Sequence, residues 1–159
     1  RLEKEGGGVA LYVHGQLKCK VLKQSMGPYA KKFEYLIAEV SNKYNKALIS
    51  VVYRPPKASG LNEYFDELLD VITAYENVFL IGDFNINLNQ DSNNSYKTQL
   101  MDLVSCIDFQ ILPLEATFHR NQVSSRLDLI ITKRKAKVHK FGQFPSPGIS
   151  AHDTIFCCS

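Results

Sequence analysis

The stretch VFLIGDFN at residues 78–85 decides how this chain folds. Its first four residues form a continuous apolar run, which is typical of a central β-strand buried on both faces. The run ends abruptly at Gly82 and Asp83, so polar side chains follow directly on a rigid element. Strand ends of this kind reach the surface and commonly carry functional groups. The stretch therefore predicts a core strand with a candidate site at its end.

Further strands and two helices are predicted on either side of this stretch. Strands are expected at 9–13, 17–21, 34–40, 47–53, 109–112, 127–132 and 154–157, the first two as neighbours. One amphipathic helix places seven apolar residues on one face: Leu61, Tyr64, Phe65, Leu68, Leu69, Ile72 and Tyr75. A second helix is expected over roughly 96–107, after a surface loop that begins at residue 85. This order predicts a layered α/β or α+β sandwich whose sheets pack face to face beneath helices.

Composition describes an ordinary globular chain with a small positive excess. Hydrophobic residues make up 45% of the 159 residues and charged residues 22%, and the formal net charge is +3. That charge implies a polyanionic partner only if it is concentrated. It is concentrated at 133–140, where Lys and Arg total five and no acid occurs between Asp128 and Asp153. The segment is either a solvated loop or a phosphate-facing surface, and no interleaved aromatic residue indicates base stacking.

Cysteine spacing and hydropathy indicate an intracellular protein. The four cysteines show neither CxxC nor Cys/His ligand spacing, which argues against a structural zinc site and a disulfide framework. No apolar run approaches the ~20 residues that span a bilayer, so no membrane partner is expected. Because the chain begins with Arg1 and stops within a predicted strand, a fragment of a longer protein is expected.

Polar residues stand at the ends of four predicted strands. They are YRPP at 53–56, GDFN at 82–85, SSRLD at 124–128 and SAHD at 150–153. Each alone has an ordinary structural interpretation, such as an Asx-turn for Asp83 and Asn85 or a surface position for His152. Their order and strand contexts together are more specific than any one of them.

In this order the motifs resemble the endonuclease/exonuclease/phosphatase superfamily, and more closely the apurinic-endonuclease-like endonuclease domain of non-LTR retrotransposons. The resemblance is carried by GGGVALYV (6–13), VVYRPP (51–56), IGDFN (81–85), ATF (116–118), SSRLDLIIT (124–132) and GISAHDTIF (148–156). It implies one domain over 1–159, incomplete at the N-terminus and at the C-terminus. It also implies a four-layer α/β/β/α sandwich, in which helices flank two packed mixed sheets.

The resemblance further implies phosphodiester hydrolysis with a divalent cation, usually Mg²⁺. Asp83 would activate or orient water, and Asn85 would hold the phosphate or the nucleophile. Tyr53 would donate to the phosphate or stabilise the leaving oxygen. His152 would contact a phosphate oxygen while Asp128 accepts from its other ring nitrogen. These residue types suit in-line attack by water on a phosphodiester, which needs a base and hydrogen-bond donors for the charge that develops on the phosphate.

Further residues are expected to bind substrate. Thr117 and Ser125 are candidates for phosphate contacts by the same resemblance. Lys133, Arg134 and Lys135 are expected to contact the DNA backbone without reading its sequence. The implied partners are DNA and a reverse transcriptase in the same polyprotein, with action in the nucleus.

Two departures from the family pattern bear on catalysis. The early acidic metal ligand has no counterpart, because Glu3 and Glu5 stand in no matching context, and Ala151 occupies the place of an expected aspartate. Asp153 cannot substitute, because one step along an extended chain turns its side chain to the opposite face. No metal ligand is assigned, and Mg²⁺ binding is expected to be weakened.

Three functional interpretations follow from the sequence. The first is a metal-dependent DNA-nicking endonuclease domain. The second is a catalytically degenerate remnant that folds or binds nucleic acid without chemistry, favoured by Ala151. The third is a phosphatase of the same superfamily, against which the retrotransposon-like GGGVALYV and YRPP weigh.

Overall fold

The computed structural model describes residues 8–26, 32–89 and 95–159. Ten strands and two helices form this described part of the chain. In order they are β1 Lys18–Gln24, β2 Glu34–Ser41, β3 Lys46–Tyr53, α1 Leu61–Ile72, β4 Asn77–Asp83, α2 Ser95–Cys106, β5 Phe109–Ile111, β6 Phe118–Arg120, β7 Val123–Ser125, β8 Asp128–Lys133, β9 Lys140–Phe144 and β10 Thr154–Cys158. Neither helix is long and apolar enough to cross a bilayer.

Six of the strands form one mixed sheet in the order β1-β2-β3-β4-β8-β5. Neighbours run antiparallel except β3 and β4, which are parallel and are joined through α1. In this register Tyr53 lies beside Asp83, and Asp83 lies beside Asp128. The ends of β3 and β4 therefore meet the beginning of β8. We call this end of the sheet, marked by Tyr53, Asp83 and Asp128, the acidic end.

One face of the sheet is covered by both helices. Alternate residues of β4, Val78 and Leu80, join the same buried cluster as Leu129 and Ile131 of β8. Both helices contribute to that cluster with Leu61, Tyr64, Phe65, Leu68, Ile72, Leu100 and Val104. Burial of each large apolar side chain stabilises the fold by about 1.5–3 kcal/mol, so this face anchors the strands.

The opposite face is covered by a β-hairpin. Ile130 is fully buried there with Leu112 and Leu114, and Ile155 of β10 packs against them. The β9–β10 and β6–β7 pairs are two-stranded sheets of their own. The predicted α/β sandwich is therefore confirmed, with both described helices on one face of the large sheet and a second, smaller β layer on the other.

The strand predicted at 9–13 is wrong. The described residues 8–14 form no strand, and Tyr12 is 95% exposed. A strand needs a neighbour to satisfy its backbone groups, and the large sheet ends at β1. The preceding Gly6 and Gly7 lie outside the described residues.

Smaller differences concern the helices and the short strands. Leu69 is 40% exposed rather than buried, and α1 ends at Ile72, although Tyr75 beyond it is buried. Within the predicted surface loop Ile86 is fully buried and α2 already begins at Ser95. The strands β6, β7 and β9 carry no strand signal in the sequence, because they are only three to five residues long and lack a clear alternation.

Candidate active site

Two carboxylates and an imidazole converge at the acidic end of the sheet. The nearest ligand atoms of Asp83, Asp128 and His152 all lie within 4.8 Å of one another. Asp83 ends β4, Asp128 begins β8, and His152 precedes β10. A backbone bridge between His152 and Phe118 holds this last segment in place. The fold thus gathers three of the five residues predicted to be catalytic from separate parts of the chain.

Gly82 permits the close approach of the two strands that carry Tyr53 and Asp83. Its φ of 145° is one that L side chains rarely adopt, and a Cβ atom there would lie 2.0 Å from the carbonyl oxygen of Val52. No larger residue fits without moving the backbone of β3. The glycine before Asp83 is therefore required by the geometry of the acidic end.

Asp128 is held by a buried hydroxyl and pairs with His152. Thr117 Oγ1 donates to Asp128 Oδ2 at 2.7 Å and accepts from the backbone N–H groups of Leu127 at 3.2 Å and Asp128 at 3.0 Å. His152 Nδ1 lies 2.8 Å from the same Oδ2. Because an ionised carboxylate only accepts, Nδ1 carries the proton, and Nε2 is left for another partner.

Thr117 is placed differently from its expected role in substrate binding. Its side chain is fully buried, and its hydroxyl is committed to Asp128 and to the local backbone. It orients the carboxylate that in turn orients His152. Ser125, the other candidate phosphate contact, is half-buried on β7, where its Oγ accepts from Asn87 Nδ2 at 3.4 Å.

Burial makes the Asp83 carboxyl a weaker acid than an ordinary aspartate. Desolvation, and then the charge of Asp128, raise its pKa to about 6. The backbone N–H of Asn85 donates to Asp83 Oδ1 at 2.8 Å, and Asn85 has a φ of 50°. This is the Asx-turn that the sequence allowed, so the ordinary interpretation of these two residues is correct as local structure. It also positions the Asn85 backbone beside the carboxylate.

Tyr53 lies next to Asp83 in the strand register and stays protonated at neutral pH. Burial, and then the charges of Asp83 and Glu34, raise the pKa of the phenol. Its hydroxyl is therefore available as a donor rather than as an anion.

Arg54 is a site residue that sequence reasoning missed. It is only 2% exposed, its backbone N–H donates to the carbonyl of Asp83 at 2.8 Å, and its Nη1 donates to the carbonyl of Asn85 at 3.3 Å. The guanidinium also stacks on Tyr96, 4.0 Å from the ring centroid. Arg54 thus fixes the turn that carries Asp83 and Asn85. An arginine between a strand and Pro55 was the available signal.

The basic segment lies at the other end of the sheet. Lys133 ends β8, about 17 Å from Asp128 along the six-residue strand. Its Nζ donates to the carbonyl oxygens of Ile72, the last residue of α1, and of Tyr75 just beyond the helix, at 3.1 and 2.5 Å. Arg134 Nε lies 3.5 Å from Asp108 Oδ1. β8 therefore carries Lys133, Arg134 and Lys135 to the end of the sheet opposite Asp128, and their contact with the DNA backbone stays a prediction.

Asp153 faces a different set of partners from His152. Its Oδ2 accepts from Gln143 Nε2 at 2.8 Å and lies 3.5 Å from His119 Nε2. This agrees with the alternation expected for adjacent residues of an extended chain. Asp153 therefore does not replace the carboxylate missing at Ala151.

Asp83, Asp128 and His152 form a group that could hold a metal ion, but it offers few oxygens to Mg²⁺, which takes oxygen ligands in near-octahedral geometry. Asp128 Oδ2 is already bonded to Thr117 and His152, and Asp83 Oδ1 accepts from Asn85, so the second oxygen of each carboxylate is the one left for an ion. Ala151 contributes no ligand. Glu3 and Glu5 lie outside the described residues.

Three solved structures illustrate what this fold is similar to. The endonuclease domain of TRAS1, a telomere-specific non-LTR retrotransposon, matches with a TM-score of 0.67 at 12% identity, over 86% of this chain and 78% of that one. The inositol polyphosphate 5-phosphatase domain of SPsynaptojanin, in complex with inositol (1,4)-bisphosphate and calcium ion, gives 0.57 at 13% identity, over 89% and 53%. D. rerio TDP2 complexed with single-strand DNA product gives 0.56 at 15% identity, over 87% and 67%. At these identities the similarity shows the fold alone.

The sequence comparison identifies the family. No curated protein sequence matches the chain. A model of the endonuclease-reverse transcriptase family matches residues 47–156, which is most of the chain. The match runs from β3 to β10 and includes Tyr53, Asp83, Asp128 and His152. The superfamily resemblance is thereby confirmed, and the chain belongs to the endonuclease-reverse transcriptase family.

Proposed function

We propose that this chain is the DNA-nicking endonuclease domain of a non-LTR retrotransposon polyprotein, acting in the nucleus on phosphodiester bonds. The observation that supports this most is the convergence of Asp83, Asp128 and His152 from three segments onto one end of a rigid sheet. A base, a donor and an orienting carboxylate are what in-line hydrolysis of a phosphodiester requires.

Asp83 is proposed to take the proton from the attacking water. A carboxyl with a pKa of about 6 is mostly ionised at neutral pH, yet it is more basic than an ordinary aspartate. The water oxygen attacks phosphorus, the bond to the leaving oxygen breaks, and the proton of the water passes to Asp83. General base catalysis of this kind contributes about 100-fold to 10,000-fold to the rate.

His152 and Tyr53 are proposed to stabilise the charge that develops during attack. With Nδ1 bonded to Asp128, His152 presents Nε2 to a phosphate oxygen, and Asp128 stabilises the ring when it is protonated. The Tyr53 hydroxyl donates to the leaving oxygen, and Asn85 donates to the phosphate through its amide. Arg54 acts through the turn that it fixes, as a positioning residue.

A plasmid-nicking assay in magnesium tests this function. The unaltered chain is expected to convert supercoiled DNA to open circles, and Asp83→Asn to lose that activity. Asp102→Asn is the matched control, because it makes the same change on an exposed position of α2. Nicking by Asp83→Asn at the rate of the unaltered chain would contradict the proposal.

A second candidate is a non-catalytic remnant, and the specific observation in its favour is Ala151. If the unaltered chain nicks DNA, it is expected to need a high magnesium concentration, because the described residues offer the ion few available oxygens. Ala151→Asp is therefore expected to lower the magnesium concentration that half-maximal nicking requires. If neither the unaltered chain nor Ala151→Asp nicks DNA, the remnant is the better description. Turnover of lipid or nucleotide phosphates without nicking would instead support a phosphatase.

A further inference from the structure

We propose that the end of the sheet opposite the acidic end binds single-stranded nucleic acid without regard to sequence. We call this surface the basic end and define it by Tyr44, Lys46, Lys135, Lys137 and His139. It goes beyond the proposed nuclease function, because it neither uses nor requires the residues at the acidic end.

Two adjoining cavities form a groove at the basic end. They have volumes of about 570 and 550 Å³, and both are lined by Asn45, Asn77 and Lys137. Asn45 and Lys46 come from the β2–β3 hairpin, and Lys137 comes from the loop between β8 and β9. The groove is thus built from segments that are distant in sequence and that the sheet brings together.

The lining of this groove is strongly cationic. Among the residues that the structure describes, lysines 46, 133, 135 and 137 line it with His139, and the one acidic side chain in that lining is Glu76. Three of these lysines are exposed, while Lys133 is tied to α1 and adds its charge without being free to move. Lysines arranged along a groove bind a phosphate backbone by neutralising it and releasing counterions.

The fold adds an aromatic platform that the lysine-rich sequence lacks. Tyr44, at the tip of the β2–β3 hairpin, is 82% exposed. The hairpin is ordered by Asn42, whose Oδ1 accepts from the backbone N–H groups of Tyr44 and Asn45, both at 2.8 Å. Lys43 Nζ lies 5.5 Å from the ring centroid of Tyr44. Tyr44 directly precedes Asn45, which lines the groove, and an exposed ring on such a turn suits the stacking of an unpaired base.

This combination favours a single strand over a duplex or an acidic protein. In a duplex the bases are already stacked on one another, so a lone tyrosine gains little from them, whereas every unpaired base offers a face. An acidic peptide would use the lysines but not the ring. Because neither stacking nor backbone contacts distinguish the sugar, DNA and RNA strands are expected to bind equally.

Fluorescence anisotropy with labelled dT and U homopolymers of about 12 nucleotides tests the proposal. Tyr44→Ala is expected to weaken binding of both strands roughly tenfold, whereas Tyr44→Phe keeps the ring and the affinity. Lys135→Gln with Lys137→Gln is expected to weaken binding and to lower the salt dependence. The matched control is Lys32→Gln with Lys57→Gln, which removes the same charge from exposed lysines at the acidic end.

Several results would overturn the proposal. It would be contradicted by equal affinity for a duplex of the same length or for polyglutamate. It would also be contradicted if Tyr44→Ala had no effect, or if the Lys32/Lys57 control lost as much affinity as the Lys135/Lys137 variant. Asp83→Asn is expected to bind the homopolymers normally. A protein that fails to nick DNA therefore leaves this inference standing, and one that nicks but does not bind the homopolymers contradicts it alone.

Discussion

The two ends of the central sheet differ in what the same strands present. Where β4 ends and β8 begins, Asp83 and Asp128 stand side by side and are held by turns and a buried hydroxyl. Where β4 begins and β8 ends, Asn77 and Lys133 stand among exposed lysines. The acidic end is ordered and partly buried, while the basic end is open. This difference underlies the two proposals, which are phosphodiester chemistry at the acidic end and nucleic-acid binding at the basic end.

The largest change in nicking is expected when the proposed base at the acidic end is removed. Asp83→Asn keeps the shape of the side chain and its acceptor for the Asn85 N–H but removes the base. Nicking is expected to fall about 100-fold to 10,000-fold, and single-strand binding is expected not to change. Rates from a plasmid assay and affinities from anisotropy on one preparation would show the separation. Loss of both together would mean that the two ends are not independent.

Thr117→Val is expected to have the next largest effect. The change keeps the volume of the side chain but leaves Asp128 Oδ2 and two backbone N–H groups without their buried partner. Loss of stability of about 2–3 kcal/mol is expected in urea denaturation, with slower nicking. Thr98→Val, at an exposed position of α2, is the matched control and is expected to be within about 0.5 kcal/mol of the unaltered protein. An equal loss of stability in the two variants would mean that the Thr117 hydroxyl does not stabilise the acidic end.

The raised pKa of Asp83 predicts how stability depends on pH. Because folding raises this pKa from 3.8 to about 6, the protonated group stabilises the fold at low pH, and that contribution is lost as the pH rises through about 6. Asp83→Asn is therefore expected to match the unaltered protein near pH 4 and to exceed its free energy of unfolding by about 2 kcal/mol near pH 7.5. Urea denaturation at both pH values measures this. A difference that is the same at both would contradict the assigned cause.

Two lysines near the basic end are expected to differ by a smaller amount in their contribution to stability. Lys133→Met is expected to cost about 1 kcal/mol of stability, because its Nζ donates to two carbonyl groups at the C-terminal end of α1, those of Ile72 and Tyr75. Lys135→Met removes the same charge from an exposed position and is expected to leave stability unchanged. Thermal denaturation of the pair would separate a structural lysine from a binding one. Equal melting temperatures would mean that Lys133 has no structural role.

Sequence reasoning predicted the acidic end because each of its residues follows or precedes an apolar strand. Asp83 after VFLI and Asp128 before LIIT could be placed at strand ends without knowing the topology. That the two residues are neighbours in space follows only from the strand register, in which β4 and β8 run antiparallel. The basic segment follows Asp128 closely in the sequence, but the six residues of β8 separate the two in space.

Other features had no signal in the local pattern. The strand expected at 9–13 has good β propensity, but the large sheet does not extend to it. Thr117 is a candidate phosphate contact by the family resemblance, and no local pattern could show that the surrounding hairpins bury it and that its hydroxyl bonds Asp128. Tyr44 lies about ninety residues before the lysines in the chain, so no search within the lysine-rich segment could find it.

The pH dependence of nicking shows most clearly whether Asp83 is the base of a phosphodiesterase site. With magnesium held constant, the rate of the unaltered chain is expected to fall as one group is protonated near pH 6. The residual rate of Asp83→Asn is expected to be low and to show no such step. A profile with the same step near pH 6 in both proteins would contradict the account.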